Sequence, residues 1–448
     1  VRPTPAAIAI HTGIFSIVFL VSAVIWQRPF LAAGLALALQ LLVIVVSEAK
    51  RRALREPLVF SDFGLFSQAL RHPRLYLPYL QPLPVLAAAL AFAVALAAGF
   101  ALDVPGLAWD AWLVLLLFSI GLVWRGSRVA GPCITLEPER DIAHLGLLAS
   151  CWLYWLAERK PVEEIAAPAL AIRALPVKLP DVVAVECESF FDARRLHDGV
   201  PGDVLRQFDT LCSQGESGQL TVPAWGAYTM RTEFAFLSGI PSARLGVHRF
   251  NPYRCFARRR IPTIASRLRA LGYRTVCIHP YPASFFGRDR VFPNLGFDEF
   301  VDLSSFADAP RDGPYVADAA VARKIGETLR GSNRPVFVFA ITMENHGPLH
   351  LEAGAGGDGL AIYLRHLRNA DAMIGELADT LRSLGGDSVL CVFGDHVPSM
   401  PVVFSASRFE DPRTEYLVWR PGGTTGTRND LRVEDLGELV LRTAGLAG

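Results

Sequence analysis

Four long apolar stretches in the first third of the chain constrain the fold most strongly. Apart from Asp110 they carry almost no charge, and they cover residues 8–26, 31–47, 84–102 and 108–124. At about 1.5 Å per residue, stretches of this length reach most or all of the way across a hydrocarbon core of about 30 Å. They therefore predict membrane helices. A signal peptide explains the first stretch poorly, because no small-residue cleavage site follows it and a second apolar segment comes soon after.

A fifth apolar stretch, residues 142–156, is shorter and contains His144. A helix over this stretch would reach about 22 Å, which is less than the core thickness of about 30 Å. One interpretation is a fifth span, with Trp152, Tyr154 and Trp155 as an aromatic belt at the outer interface. The alternative is an amphipathic helix lying in the interface.

The distribution of basic residues favours five spans with a cytoplasmic N-terminus. That topology places on the inner side Arg2, Lys50, Arg51, Arg52, Arg55, Arg71, Arg74, Arg125, Arg128 and Arg140, and on the outer side near the spans Arg28, Arg159 and Lys160. It obeys the positive-inside rule, whereas four spans with an outward catalytic domain would put the cluster at 50–55 outside. We predict a membrane domain over residues 1–157, with an aromatic helical segment at 58–80 along the inner leaflet.

The rest of the chain predicts an α/β domain. A proline-rich linker, residues 158–181, is followed over 182–448 by strand-like runs that alternate with helical patterns. The predicted strands are 182–187, 274–278, 336–341, 388–393 and 415–419, and the predicted helices are 264–271, 316–329, 362–384 and 433–444. Such alternation indicates a largely parallel sheet covered by helices on both faces. The glycine-rich segment 354–359 is either a lid or a plain surface loop.

Polar side chains follow four of the predicted strands at the point where each strand ends. They are Glu188, His279, the run Glu344-Asn345-His346, and the pair Asp395-His396. In open α/β sheets the ligand crevice lies beyond the carboxyl ends of the strands. The four segments are therefore expected to converge on one site, and the chain is predicted to be an enzyme.

Three of these side chains suit a divalent cation. Glu188, Asp395 and His396 offer two carboxylates and an imidazole, a set typical of a Mn²⁺-type site, with Mg²⁺ and Zn²⁺ as alternatives. An Asp-His pair after a strand is also compatible with a capping aspartate and a hydrogen-bonded histidine. Glu186 competes for the ligand role, because alternate residues of a strand share one face, but Glu188 lies closer to the crevice.

Thr229 is the candidate nucleophile. The segment 226–237 reads as a glycine-containing turn that leads into a helix, with Thr229 at or near the N-cap. The helix dipole and free backbone N–H groups would stabilise an alkoxide and a bound phosphate there. A metal ion on the same oxygen would lower its pKa further. The alternative is a threonine that only caps the helix.

Charge and cysteine content exclude some other functions. The net charge is +1, and the short basic run 258–260 lacks interleaved aromatic residues, so a nucleic-acid partner is not expected. Cys187, Cys277 and Cys391 fall in predicted buried strands, where a thiol behaves as a small apolar group. Only Cys212 and Cys255 are placed to pair, and the sequence does not decide whether they do.

Five motifs together carry a family resemblance. They are Glu188-Ser189-Phe190, the run 229–234 (Thr-Met-Arg-Thr-Glu-Phe), the run 279–290, Glu344-Asn345-His346-Gly347, and Gly394-Asp395-His396. In this order they resemble those of lipoteichoic acid synthases and glucan phosphoglycerol transferases, members of the alkaline phosphatase and sulfatase superfamily. The match covers the outer domain. It implies an α-helical transmembrane domain joined to an alkaline phosphatase-like α/β sandwich.

The resemblance also implies roles for individual residues. Glu188, Thr229, Asp395 and His396 would hold Mn²⁺, with Thr229 as the nucleophile that takes up the phosphoglycerol group. Arg288 would contact the phosphate, and His346 would contact the glycerol hydroxyl or the leaving oxygen. The remaining substrate-binding positions are His279, Tyr281, Phe286 and Asn345. Phe286 stands where the synthases carry a tryptophan, and Tyr281 where they carry an acidic residue that helps hold the glycerol.

The implied activity is the transfer of glycerol phosphate from phosphatidylglycerol, through a phosphothreonine, to a glycan or a glycerol phosphate acceptor. The implied location is the bacterial cytoplasmic membrane, with the catalytic domain outside. Alternatives are transfer of phosphoethanolamine or another headgroup, a metal-dependent phosphodiesterase or sulfatase-like hydrolase, and a catalytically inactive membrane scaffold. A sulfatase is disfavoured, because Thr229-Met-Arg lacks the proline of a C/S-x-P-x-R run. The oligomeric state stays open.

Overall fold

A computed structural model describes residues 4–80, 82–102, 109–160, 176–352 and 359–447. The chain divides into two compact units, Val1–Val162 and Glu163–Gly448. Most of the expected linker, residues 161–175, lies outside the described residues, as do residues 353–358 of the glycine-rich segment. The two units are described separately below.

The first unit is helical. Its α-helices are α1 (Pro5–Trp26), α2 (Pro29–Leu54), α3 (Phe66–Arg71), α4 (Pro82–Leu102), α5 (Trp109–Ala130), α6 (Pro138–Leu145) and α7 (Leu147–Glu158). Four of them, α1, α2, α4 and α5, have the length and apolar composition to cross a membrane. These helices correspond to the four long apolar stretches of the sequence, so the predicted helical membrane domain is confirmed in its main elements.

The fifth apolar stretch does not form one helix of spanning length. It divides at Gly146, whose φ of 76° lies in the left-handed region that glycine tolerates best. A side chain at this position would collide with His11, whose Nε2 lies 3.0 Å from the carbonyl oxygen of Leu145. The resulting helices, α6 and α7, contain 8 and 12 residues. The five-span topology therefore stays a prediction.

The aromatic segment after α2 forms short helical turns. Helix α3 lies between 3₁₀ turns at Phe60–Leu65, Pro73–Leu75 and Leu77–Tyr79. The first of these turns holds Asp62, which forms a buried ion pair with Lys50 at 2.7 Å. These short elements agree with the predicted non-spanning helical segment. Its position along the inner leaflet stays a prediction.

The second unit is an α/β domain. Its strands are β1 (Asp181–Cys187), β2 (Glu216–Thr221), β3 (Arg274–Ile278), β4 (Glu299–Val301), β5 (Arg311–Asp312), β6 (Tyr315–Val316), β7 (Val336–Ile341), β8 (Ser388–Gly394), β9 (Thr414–Trp419), β10 (Thr427–Arg428) and β11 (Leu431–Arg432). Its α-helices are α8 (Arg206–Cys212), α9 (Thr229–Ser238), α10 (Pro252–Phe256), α11 (Ile264–Ala270), α12 (Arg288–Leu295), α13 (Asp318–Arg330), α14 (Gly359–Leu384), α15 (Pro401–Ser407) and α16 (Val433–Thr443). All five predicted strands and all four predicted helices are present.

The main sheet is mixed and largely parallel. Its strand order is β10-β2-β9-β8-β1-β7-β3-β4, and β11 also pairs with β2. Strand β9 runs antiparallel to both of its neighbours, β2 and β8, whereas the other pairs are parallel. Strands β5 and β6 form a separate antiparallel hairpin. The expected largely parallel sheet is confirmed.

Helices bury both faces of this sheet, as the long apolar strands require. Along β1, Val183 and Val185 join a core with α8, α13 and α14, whereas Val182 and Ala184 join a second core with α9, α11, α12 and α16. The alternation follows from the period of two in a strand. The domain is therefore a three-layer sandwich with the sheet in the middle.

All seven cysteines lie in described residues, and none forms a disulfide. Cys187, Cys277 and Cys391 are buried in the sheet, as the sequence predicts. Cys212 and Cys255 are half-buried, and the structure records no disulfide between them.

The register of the central strands brings the predicted site segments together. Cys187 of β1 is paired with Gly394 of β8, and Glu186 is paired with Ile341 of β7. On the far side of β7, Ile278 of β3 is paired with Ala340. The four strands therefore end at the same edge of the sheet. The expected convergence of their carboxyl ends is confirmed.

Candidate active site

Glu188, Asp395 and His396 form one buried group at this edge. One carboxylate oxygen from each acidic residue and one imidazole nitrogen all lie within 4.8 Å of one another. We call these three residues the strand-end cluster. Two carboxylates and an imidazole at such separations can share a single divalent cation. The cluster is the set that the sequence predicts.

Local backbone geometry fixes the two carboxylates. Gly394, the last residue of β8, passes so close to the segment after β1 that a Cβ there would meet the carbonyl oxygen of Phe190. Only glycine permits this approach. Oδ1 of Asp395 accepts hydrogen bonds from the backbone N–H groups of Ser189 and His396, both at 2.8 Å. The Ser189 hydroxyl donates to Oε1 of Glu188 at 2.8 Å.

The electrostatics of the strand-end cluster call for a positive charge. Nδ1 of His396 donates to the carbonyl oxygen of Val397 at 3.0 Å, which leaves Nε2 to face the two carboxylates. Nε2 lies 3.1 Å from Oδ2 of Asp395 and 3.7 Å from Oε1 of Glu188. Oδ2 of Asp395 is buried without a hydrogen-bond partner. Burial, reinforced by Asp395, raises the pKa of Glu188 to about 8. A bound cation would relieve all three features, so these residues fit a metal.

Thr229 is the first residue of α9, and hydrogen bonds on both sides tie its segment to the Asp395-His396 loop. Before it, the Gly226 N–H donates to the carbonyl oxygen of Val397 at 3.1 Å. After it, the Thr232 hydroxyl donates to the carbonyl oxygen of Asp395 at 2.7 Å. The start of α9 is thereby held against the strand-end cluster. Thr229 itself is buried.

A buried ion pair on α9 positions Arg288. Nε and Nη2 of Arg288 both donate to the carboxylate of Glu233, with a Nε to Oε2 distance of 3.0 Å. Tyr253 donates to the same carboxylate at 2.6 Å. Burial acts to lower the pKa of Arg288, but Glu233 outweighs it and the net shift is upward. The guanidinium is therefore always charged, and its orientation is set by Glu233.

Arg288 also contacts two predicted substrate residues. Its Nη1 donates to Nε2 of His279 at 3.4 Å, and Nδ1 of that imidazole donates to the carbonyl oxygen of Ile341 at 3.1 Å. Burial, with Arg288 beside it, lowers the pKa of His279 well below its usual value, so the ring is neutral. The Phe286 ring lies against the guanidinium, 5.2 Å from its carbon. The structure brings these three residues together.

Backbone strain concentrates around these side chains. Among the described non-glycine residues with positive φ, Ser189 (54°) follows Glu188, and Tyr228 (68°) precedes Thr229. Phe286 (54°) lies close before Arg288. Such conformations cost of order 1 to 3 kcal/mol each and cluster at functional sites. Their positions mark the same site independently of its side-chain chemistry.

The loop after β7 supplies two further predicted residues. Nδ1 of His346 donates to the carbonyl oxygen of Gly347 at 2.7 Å, which leaves Nε2 with a lone pair. Burial lowers the pKa of this imidazole, so it is neutral at pH 7. Asn345 is buried, and neither its amide nitrogen nor its amide oxygen has a hydrogen-bond partner. An unsatisfied buried amide at a strand end indicates a ligand-binding group.

Glu186 does not join the strand-end cluster. It is fully buried within β1, and neither carboxylate oxygen has a hydrogen-bond partner. Burial, followed by the charges of Glu233 and Asp395, raises its pKa well above the usual value. Of the two competing glutamates, the structure therefore groups Glu188 with Asp395 and His396.

A second group of acidic side chains and a histidine surrounds α14. Its members, which we call the α14 network, are Asp312, Glu344, Glu352, Arg365, His366 and Asn369. Asp312, Glu344 and His366 also approach within 4.8 Å of one another. The network is therefore similar to the strand-end cluster in residue type.

The α14 network is bonded internally. His366 lies between two carboxylates, with Nδ1 2.9 Å from Glu344 and Nε2 3.0 Å from Glu352. Burial acts to lower the pKa of His366, but its hydrogen bonds to Glu344 and Glu352 outweigh burial and raise it. Asn369 donates to Asp312 at 2.9 Å and to Glu344 at 2.6 Å. These contacts describe a buried ion-pair network that supports the 344–346 loop.

Sequence reasoning missed several residues of the site. Thr232 and Glu233 lie one turn after Thr229, and the i, i+3, i+4 spacing places all three on one face of α9. That spacing was a usable signal. Tyr315, whose hydroxyl lies 3.5 Å from Nδ1 of His346, offered none, because it belongs to the two-residue strand β6.

The α/β sandwich and the strand-end cluster together define a protein of the alkaline phosphatase and sulfatase superfamily. The chain belongs to the sulfatase family, whose profile, described as Sulfatase, matches residues 180–446. The superfamily expected from the sequence motifs is confirmed. The matched residues include the whole main sheet and all three residues of the strand-end cluster.

Relatives with descriptive names include two proteins of Rhizobium meliloti (strain 1021). A capsular polysaccharide biosynthesis protein, RkpI, is 29% identical over 426 residues, which cover 88% of this chain and 78% of the relative. A putative cyclic beta-1,2-glucan modification protein is 26% identical and covers 71% and 52% of the two chains. Among solved structures, the phosphoglycerol transferase GacH of Streptococcus pyogenes matches with a TM-score of 0.51 and 22% identity, covering 61% and 77%. This last likeness shows the fold.

Proposed function

We propose that this chain is a membrane-anchored transferase that moves a phosphoglycerol group from phosphatidylglycerol to a glycan. The observation that carries the proposal is the strand-end cluster, whose Asp395 Oδ2 lacks a partner beside the N-terminus of α9. Further support comes from the relatives, which are named for capsular polysaccharide and cyclic glucan modification, and from the fold of a phosphoglycerol transferase. The acceptor is a sugar hydroxyl or a glycerol phosphate hydroxyl.

Glu188, Asp395 and His396, joined by the Thr229 hydroxyl, would hold the divalent cation. We propose Mn²⁺, with Mg²⁺ and Zn²⁺ as the alternatives, because carboxylate oxygens, an imidazole nitrogen and a hydroxyl form a hard to intermediate ligand set. When bound, such an ion lowers the pKa of a coordinated hydroxyl and offsets phosphate charge. The remaining chemistry is carried by the protein's own groups.

In the first step, Oγ1 of Thr229 attacks the phosphorus of the lipid. A threonine oxygen–phosphorus bond forms, and the bond between phosphorus and the diacylglycerol oxygen breaks. The hydroxyl proton is lost to solvent, and the released diacylglycerol oxygen takes up a proton. Arg288, held by Glu233, orients the phosphate oxygens with its remaining N–H groups. The amide of Asn345 gains a polar partner when the headgroup binds.

In the second step, the acceptor hydroxyl attacks the phosphothreonine. Nε2 of His346 is neutral and carries a lone pair, so it can take the proton of the attacking hydroxyl. The new phosphorus–oxygen bond forms as the bond to Oγ1 breaks, and Thr229 regains a proton. The product is a phosphoglycerol diester of the acceptor, and the enzyme returns to its starting state.

The membrane anchor suits a lipid donor. We propose that α1, α2, α4 and α5 hold the chain in the bacterial cytoplasmic membrane, with a fifth span completed by the 142–156 stretch. The catalytic domain then lies on the outer side, as the distribution of basic residues predicts. A tethered enzyme meets its bilayer-confined donor at a raised effective concentration.

Thr229→Ala tests the proposal most directly. Full-length protein in phosphatidylglycerol vesicles should release diacylglycerol, and the variant should lose this activity by at least about 10³-fold, as for other removed nucleophiles. Thr229→Ser is the matched control, because it keeps a hydroxyl at the same position. Mass spectrometry of the stalled wild-type protein should find phosphoglycerol on Thr229. Diacylglycerol release by Thr229→Ala at the wild-type rate would refute the role of this hydroxyl.

Tyr281 gives one reason to test a second donor. It occupies the position at which the resembling synthases carry an acidic residue that helps hold the glycerol. A headgroup other than glycerol, such as phosphoethanolamine, is the alternative. Separate incubations with phosphatidylglycerol and phosphatidylethanolamine, each labelled in the headgroup, distinguish the two donors by which label appears on Thr229.

A further inference from the structure

A row of aromatic rings extends from the phosphate-binding side of the site to His346. The rings of His279 and Tyr281 have centroids 6.1 Å apart, and those of Tyr281 and Tyr315 are 6.5 Å apart. The row ends at His346, whose ring centroid lies 5.5 Å from that of Tyr315. Tyr281 and Tyr315 are half-buried, so each ring keeps part of its surface accessible.

Side chains of α14 hold the hairpin that carries Tyr315. Asp312 of β5 forms an ion pair with Arg365 of α14 at 3.0 Å and accepts a hydrogen bond from Asn369 at 2.9 Å. Asn369 also donates to Glu344, two residues before His346. The tyrosine and the histidine are thus held by the same helix. This common support fixes the spacing between the ring of Tyr315 and the imidazole.

We propose that Tyr281 and Tyr315 bind the sugar ring of the acceptor and present its hydroxyl to His346. The inference rests on the proposed transfer reaction and extends it to the acceptor. A pyranose has an apolar C–H face and a rim of hydroxyls, and a half-exposed tyrosine offers an apolar ring face beside a polar tip. Aromatic side chains with a few polar groups are the usual lining of such sites.

The aromatic row begins beside the proposed phosphate-binding side chain and ends at the proposed base. Arg288 contacts His279 at the first end, and His346, the proposed base for the attacking hydroxyl, forms the other end. A sugar on the two tyrosines would therefore lie next to the imidazole that is proposed to take the proton of its hydroxyl.

A cationic headgroup is the rival occupant, because aromatic rings also bind ammonium groups. Two carboxylates that support the hairpin and the His346 loop, Asp312 and Glu344, do not favour it. Asp312 is bonded to Arg365 and Asn369, and Glu344 to His366 and Asn369, so both charges are already balanced within the α14 network. A neutral sugar fits the aromatic row better than a cation does.

Direct binding tests the inference without relying on the donor reaction. Full-length protein in detergent, free of lipid donor, is titrated with a neutral β-linked gluco-oligosaccharide and separately with choline. We expect saturable oligosaccharide binding that Tyr315→Ala weakens about two- to tenfold, the range for one aromatic contact, while Tyr315→Phe retains it. Arg311→Ala, an exposed change on the same hairpin, is the control and should bind as wild type.

Three outcomes would overturn the inference: no saturable binding of the oligosaccharide, equal binding by wild type and Tyr315→Ala, or binding of choline alone. In the transfer assay, Tyr315→Ala should raise KM for the acceptor more than it lowers kcat. If Tyr315 only positioned His346 through its hydroxyl, Tyr315→Phe would lower kcat and shift its pH profile instead. Absence of diacylglycerol release from any lipid by wild type would refute the proposed function and leave the binding result standing.

Discussion

The strand-end cluster and the α14 network are built from the same kinds of residue and behave differently. Both contain two carboxylates and a histidine whose ligand atoms lie within 4.8 Å of one another. In the α14 network, Arg365, Asn369 and His366 supply donors to the carboxylates. In the strand-end cluster, the histidine donates from Nδ1 to a backbone carbonyl, and one carboxylate oxygen has no hydrogen-bond partner.

The difference lies in the second ring nitrogen of each histidine. His366 has a carboxylate at both nitrogens, which favours the doubly protonated, positively charged ring. Nδ1 of His396 instead donates to a backbone carbonyl, so only Nε2 faces the carboxylates of Glu188 and Asp395. One group supplies donors to its carboxylates, and the other leaves a buried carboxylate oxygen without a hydrogen-bond partner. Residue type alone does not separate a candidate metal site from an ion-pair network; the hydrogen bonds to the carboxylates do.

The largest expected effect comes from removing a proposed ligand in the strand-end cluster. Asp395→Asn deletes one charge of the proposed metal site, so we expect metal affinity to fall by at least about 100-fold, since even indirect partners of ligands contribute 10- to 100-fold. Transfer activity should fall with it. Metal content of the purified full-length chain, measured by mass spectrometry after dialysis, checks the first expectation. Chelation of wild type followed by Mn²⁺ addition should abolish and then restore activity.

Asp312→Asn is the matched control for that prediction, because it removes a carboxylate from the α14 network. It should leave the metal content of the protein at the wild-type level. Loss of metal in Asp312→Asn together with retention in Asp395→Asn would reverse the assignment of the two groups. Equal metal loss in both variants would mean that each group holds an ion.

The α14 network is expected to contribute to stability instead. His366→Leu leaves Glu344 buried without a positive partner, whereas Glu352 keeps its ion pair with Arg365 at 2.7 Å. Breaking a buried pair in this way costs about 3 to 5 kcal/mol. Hydrogen exchange in peptides of β7 and α14 measures the loss in the full-length chain. Arg382→Ala, which removes an exposed ion pair with Asp379 on the same helix, should cost less than about 1 kcal/mol. Similar hydrogen exchange in His366→Leu and Arg382→Ala would contradict a stabilising role for the α14 network.

A smaller effect is expected when the guanidinium of Arg288 is replaced by an ammonium. Arg288→Lys cannot make two parallel bonds to Glu233 and a third to His279, so phosphate orientation is lost and kcat should fall about 10²-fold. Glu233→Gln keeps the shape of the partner and should cost less. Steady-state kinetics at saturating donor measure both. An unchanged kcat in Arg288→Lys would mean that the guanidinium does not act on the transferred group.

Much of the fold could be predicted from the sequence, because the central strands are buried on both faces. Such strands appear as uninterrupted apolar runs, and the predicted bounds 274–278 and 336–341 coincide with β3 and β7. Edge elements carry no such signal. Strand β2 has the polar sequence Glu-Ser-Gly-Gln-Leu-Thr, and β5 and β6 are two residues each. The break at Gly146 was missed because contact with His11, far away in sequence, favours it.

The residues of the strand-end cluster could be predicted for a similar reason. Each follows a recognisable strand, and parallel strands end at one edge of a sheet. The side chains that orient these residues could not be predicted, because their contacts depend on pairing between segments that are distant in the sequence. Glu233 meets Arg288 across 55 residues of sequence, and Thr232 meets Asp395 across 163. Local sequence patterns do not encode such contacts.

The smallest expected effect is a pH dependence of the α14 network. The pKa of His366 is raised in the folded state, so its stabilising charge is fully present below the unfolded value, about 6.5, and is lost as pH rises through the folded pKa. The protection of α14 against hydrogen exchange, corrected for the intrinsic pH dependence of exchange, should therefore fall as pH rises. This fall should be smaller than the loss of protection that His366→Leu causes.

His366→Gln provides the reference, because glutamine does not titrate. Asp318, whose pKa is raised well above its usual value by burial and then by Glu344, is present in both proteins, so its contribution largely cancels in the difference. The stability advantage of wild type over His366→Gln should shrink as pH rises from about 6 towards 9. An advantage that stays constant over this range would show that His366 holds its two carboxylates as a neutral ring, and the contrast with His396 would then lie only in geometry.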